Sequence, residues 1–137
     1  MESNQKDFIT MKINKPKKPQ ELNKTDLIRY TLLSSAMHFS FWAQIIEGNS
    51  KEVGAEYLID APFCKGGFLV FADAECEPNE QGAFEHKKLD RKALVEGWKV
   101  MKSEYSRHYK DAINGHDDAI TGDVYLQCCL FGEVIFG

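Results

Sequence analysis

His116, Asp117, Asp118 and Asp123 fall close together in the chain, and carboxylates with an imidazole are donors that a hard divalent cation such as Mg²⁺ or Mn²⁺ accepts. The three aspartates are the candidate metal ligands. Their spacing fits neither an EF-hand loop nor a helical His/Glu zinc motif. Asp and Thr just before an apolar run more often cap and turn the chain, so that reading is preferred and neither metal nor cofactor is expected. The candidate nucleophile is Cys64, because Lys65 beside it could lower the thiol pKa. Such a thiol also needs a base and an oxyanion pocket, and linear order places none of His38, His86 or His108 beside it. No catalytic residue is therefore assigned. Gly66-Gly67 lacks the spacing and the Lys-Ser/Thr of a phosphate loop, and reads as positive φ at a strand entry.

The aromatic residues suggest contact more than chemistry. Phe39, Phe41, Trp42, Phe63, Phe68 and Phe71 could stack nucleobases, yet no basic residue interleaves with the Phe39–Trp42 group. Any of them left exposed becomes an interface anchor. The chain ends Val134-Ile135-Phe136-Gly137, and an apolar terminus must be buried either within the fold or against a partner. Phe41, Trp42, Val134, Ile135 and Phe136 are accordingly the candidate interaction residues.

The chain has 137 residues, 43% hydrophobic and 28% charged, which fits one globular domain and excludes a wholly disordered chain. No apolar run is long enough to span a bilayer, so no membrane is expected. Residues 1–24 carry six lysines against three acids, a balance of +3, which leaves −7 for residues 25–137 out of the net −4. A mildly acidic body does not suit direct nucleic-acid reading, which wants clustered Lys/Arg on one folded face. Of the four cysteines, none forms CxxC, and adjacent Cys128 and Cys129 do not pair easily; both read as small core residues. The start lacks the apolar stretch of a secretory signal, so reduced thiols and a cytoplasmic location are the default. A Cys64–Cys76 disulfide is the alternative that an oxidising compartment would permit.

Residues 1–23, with Pro16 and Pro19 among lysines, read as a flexible leader in which Phe8–Met11 is a minor candidate edge strand. Residues 24–137 form the single domain. Thr25 and Asp26 open a helix over about 26–37 with Leu27, Ile28, Leu32, Ala36 and Phe39 on one face. Residues 38–46 fit helix or strand. Glu56–Ile59 and Phe68–Ala72 read as an antiparallel hairpin, and Asp73–His86 as an exposed loop. Asp90 caps a helix whose stripe of Leu94, Trp98 and Met101 should lie on the sheet, with Gly97 marking close approach of another backbone. A second helical piece stops at Asn114-Gly115, and residues 123–131 tip toward helix over strand. The expected fold class is α+β: a short antiparallel sheet packed by an N-terminal helix and a C-terminal helical group.

From Leu89 onward the chain resembles a family of uncharacterised proteins of phages and other mobile elements. The matching features are Leu89-Asp90, Gly97-Trp98-Lys99-Val100-Met101, Tyr105, His108, Asp118-Ala119, Thr121-Gly122-Asp123-Val124 and the ending Leu126-Gln127 through Leu130-Phe131-Gly132-Glu133 to Phe136-Gly137. The resemblance covers about a third of the chain. It brings no activity to any residue, but it implies a small accessory protein acting inside a bacterial host cell. The leading expectation is a non-enzymatic protein that binds a host or defence-complex protein, anti-CRISPR-like in its concrete form. Self-association as a structural or assembling protein is the alternative, and a metal-dependent hydrolase using Asp117, Asp118 and Asp123 the third.

Overall fold

The computed structural model describes residues 22–77, 79–80 and 82–137. The lysine-bearing leader and Phe8–Met11 therefore lie outside the described residues. Helix α1 (Lys24–Phe39) leads into strand β1 (Ala43–Gly48). A 3-10 segment (Leu58–Phe63) then precedes β2 (Phe68–Asp73) and β3 (Lys87–Asp90). Helices α2 (Arg91–Glu104), α3 (Ser106–Ile113) and α4 (Ala119–Phe131) complete the fold. The three strands form one antiparallel sheet in the order β1-β2-β3. The class is α+β, with the helices packed as expected. No helix among the described residues is long and apolar enough to cross a membrane.

Helix α4 is the centre of the molecule. From Thr121 to Leu130 every residue is buried or half-buried, the pattern of a helix enclosed by the fold. It packs against α1 on one flank and α2 on the other. Asp118 caps its start by accepting from Thr121 N at 3.0 Å, and Gly132, at φ +75°, closes its end. Two glycines let the three helices meet closely. A Cβ on Gly97 of α2 would stand 2.6 Å from Cys129 Cα, and one on Gly122 of α4 would stand 2.6 Å from the Leu32 carbonyl oxygen of α1. The close approach expected at Gly97 is thus present. Of the stripe beside it, Trp98 turns to the helices. Trp98 meets the rings of Tyr125 and Tyr109 edge-on, and Tyr125 donates its hydroxyl to the Leu94 carbonyl at 2.8 Å. Leu94 and Met101 are wholly buried.

A buried ion cluster locks α1 to α2. One Asp26 carboxylate oxygen accepts from Arg29 and from Arg91, each at 2.8 Å, and the Arg29 guanidinium also lies 5.2 Å from the Trp98 ring centre. Burial pushes the Asp26 carboxyl up, but the hydrogen bonds from Arg91 and Arg29 outweigh it and hold the group below its ordinary value.

Three expectations need correction. Helix α1 starts earlier, because Asn23 and not Thr25 is the cap, its side chain accepting from Asp26 N at 2.8 Å. Glu56–Ile59 is no strand: Asp60 accepts from Tyr57 N with its side chain and donates its own N–H to Tyr57 O, which starts the 3-10 segment, with Pro62 inside it. The hairpin partner of β2 is therefore β1, which settles residues 38–46 as helix to Phe39 and strand from Ala43. Strand β3 follows a loop that ends where expected, but Lys87-Lys88-Leu89 carries only one buried apolar side chain to signal it.

Candidate functional site

The turn between α1 and β1 is built around Asp123. One of its carboxylate oxygens accepts from the Ser40 hydroxyl at 2.5 Å and from Trp42 Nε1 at 2.7 Å; the other accepts from Gln127 Nε2 at 2.8 Å. Ser40 also closes α1 by donating its backbone N–H to Ala36 O. With residues 40 and 42 both drawn inward, Phe41 projects into solvent, 81% exposed. Trp42 instead stacks on Phe136 at 4.9 Å and 18°, within a cluster that includes Phe84 and Phe131.

Gln127, wholly buried, holds the C-terminal segment by its backbone. Its Oε1 accepts from Ile135 N and Phe136 N, both at 2.8 Å, and its Nε2 donates to Phe136 O at 3.2 Å. Val134 N donates to the Tyr105 hydroxyl at 2.9 Å. The structure thus brings half-buried Trp42 and Phe136 together, packs half-buried Val134 against the core, leaves Ile135 exposed, and sets Phe41 apart. Gln127→Ala removes the only side chain that satisfies these three backbone groups at once. It is expected to lower stability by about 2–3 kcal/mol and to shift Trp42 emission to the red as Phe136 leaves its ring; chemical denaturation with fluorescence reads both.

A groove of about 480 Å³ opens on the other side of the Phe41 turn. Met37 and His38 of α1 form one wall, and Tyr57, Leu58 and Ile59 the other. Ile45 of β1 and Phe71 of β2, paired across the sheet, lie at its base. The Tyr57–Ile59 wall is positioned by buried Asp60, which accepts from the Tyr30 hydroxyl at 2.8 Å and from Tyr57 N at 3.2 Å. Burial, followed by the Asp60 bond and charge, pushes the Tyr30 phenol up to about 12, so it remains a donor at any physiological pH. Tyr57 is 61% exposed and Leu58 47%, and Phe39 beside His38 is 40% exposed. Large apolar side chains around an open apolar groove offer desolvation to a partner.

The candidate chemistry is placed elsewhere. Asp118 caps α4, and the bond from Thr121 N is the main cause of its lowered pKa. Asp123 is the hub of the turn, and Asp117 lies before the cap. No group of three or more His, Cys, Asp or Glu side chains among the described residues could hold a metal ion. None of the four cysteines is in a disulfide, so no Cys64–Cys76 bridge forms. Cys64 donates to the Asp60 carbonyl at 3.4 Å, and burial, then the Asp60 charge, pushes its thiol up, opposite to an activated nucleophile. Burial likewise pushes Cys128 to about 12 and raises Cys129. Iodoacetamide at neutral pH is expected to label Cys76 first, and Cys64, Cys128 and Cys129 only on unfolding, as mass spectrometry of native and denatured samples would show.

Sequence reasoning reached Phe41 but missed Met37, Tyr57 and Leu58. The signal present was Tyr57 followed three residues later by Asp60 and then by Pro62, a helical-turn start and not a strand. No known protein family, curated protein or solved structure matches this chain.

Proposed function

We propose that this chain is a non-enzymatic protein that works by binding another protein through the groove between α1 and β1. The observation that carries the reading is the set of exposed Phe41, Tyr57 and Leu58 beside an apolar groove, in a molecule whose Asp118, Asp123 and Cys64 are engaged in capping and packing. The setting implied by the resemblance gives the concrete form: an accessory protein of a phage or mobile element that engages a host defence complex in the bacterial cytoplasm, anti-CRISPR-like in action.

Leu58→Asp places a charge at the groove wall on a side chain that is half exposed, so the fold should tolerate it. The wild-type chain is expected to retain a discrete protein from host lysate and the variant to lose it by about tenfold or more in affinity, with an unchanged melting temperature. Equal retention by both would refute the groove. Wild-type chain that retains nothing and grows in mass with concentration by light scattering would favour self-association.

A further inference from the structure

The groove is floored in part by β1, which is an edge strand among the described residues, and that placement selects what can fill it. Among the described residues, β1 has β2 on one side only. Trp42 accepts from Ala74 N, so by the alternation of an antiparallel ladder Gln44, opposite Ala72, also points its backbone at β2. Ile45 then turns its N–H and C=O away from the sheet, while its side chain reaches the groove. The Ala43 N–H is already taken by Ser40 O, and the register shifts between Ile45 and Glu47, which limits any added ladder to a short one.

We infer that the partner enters as a short extended segment that pairs with the outer edge of β1, setting alternate apolar side chains between α1 and the Tyr57–Ile59 wall. This inference rests on the groove being the binding site. Strand addition draws affinity from main-chain hydrogen bonds and selectivity from pockets under alternate side chains, and an edge strand flanked by a helix supplies both. A docked helix would leave the Ile45 backbone groups unpaired as it excluded water from them. Charge adds a direction. Glu47 near the end of β1 and Glu52 in the chain that follows stand against Lys51, so the segment carries a basic residue at the end that passes this stretch.

The test pans a randomised linear-peptide display library against the full chain and then follows the enriched peptides on isotope-labelled protein. The expected result is enrichment of alternating apolar residues with a flanking Lys or Arg. Binding should be lost in Leu58→Asp and kept in Lys99→Glu on α2. Exchange of the Ile45 amide should slow by roughly tenfold on binding. Enriched peptides with i, i+3, i+4 apolar spacing that shift the Leu58 and Ile59 methyls and leave Ile45 exchange unchanged would overturn strand addition while keeping the groove as the site. Peptides that bind Leu58→Asp as well as wild type, or no enriched peptide at all, would overturn both.

Discussion

Asp26→Asn is expected to destabilise the protein by about 3–5 kcal/mol, the range for removing one partner of a buried ion pair. Asp26 and Arg29 are both buried, and a single carboxylate oxygen serves Arg29 and the half-exposed Arg91. Asparagine keeps the shape and loses the charge, so the Arg29 guanidinium stays desolvated without its counter-ion. Its Nε already lacks a hydrogen-bond partner among the described residues, which leaves no reserve. Adding Arg29→Met should recover much of the loss, because the unpaired cation goes and an apolar side chain of similar length remains over Trp98. The same cluster makes stability acid-sensitive. The folded-state pKa of Asp26 is depressed, so its contribution is present above the ordinary value of 3.8 and is lost as pH falls through the lower folded value. Urea titrations between pH 7 and 3 should show the wild type losing stability at the acid end and Asp26→Asn losing less.

Gly97→Ala should cost about 3 kcal/mol or more, although alanine is the better helix former by about 1 kcal/mol. The added methyl would stand 2.5 Å from Cys129 Sγ and 2.6 Å from Cys129 Cα. A side chain alone could rotate away; a Cα cannot, so α2 and α4 must separate. Separation opens the contacts of Leu94, Trp98 and Tyr125 together, which is why one methyl has a large effect. Gly122→Ala should behave alike through the Leu32 carbonyl. Thermal melts followed by circular dichroism, with Cys129→Ala beside Gly97→Ala, test the argument: removing the sulfur alone should not rescue, because the backbone contact persists.

These two sites show what local pattern can and cannot reveal. Gly97 announced itself because a glycine inside a strongly amphipathic helix demands a packing reason, and Asp90, Gly115 and Gly132 act as the start and the stops their types suggest. Partners were not legible. The Leu94–Trp98–Met101 stripe says that a face is buried, but not that α4 covers it. Helix α4 itself reads ambiguously, since a helix buried all round has no periodicity to separate it from a strand. The Tyr57–Ile59 wall was misread because a short apolar run resembles a strand when the capping pair is overlooked. Trp42 and Phe136 show the same limit. Both are apolar enough to serve an interface, yet Asp123 and Gln127, distant in sequence from Trp42, draw them inward, while Phe41 and Ile135 are left outside.

The most direct measurement is site-specific photocrosslinking in the host cell, with a photoreactive amino acid at Tyr57 in the groove wall or at Lys99 on the outer face of α2. The account predicts one discrete protein adduct from position 57 and none from position 99. Adducts that form equally from both positions, or from position 99 alone, would contradict it.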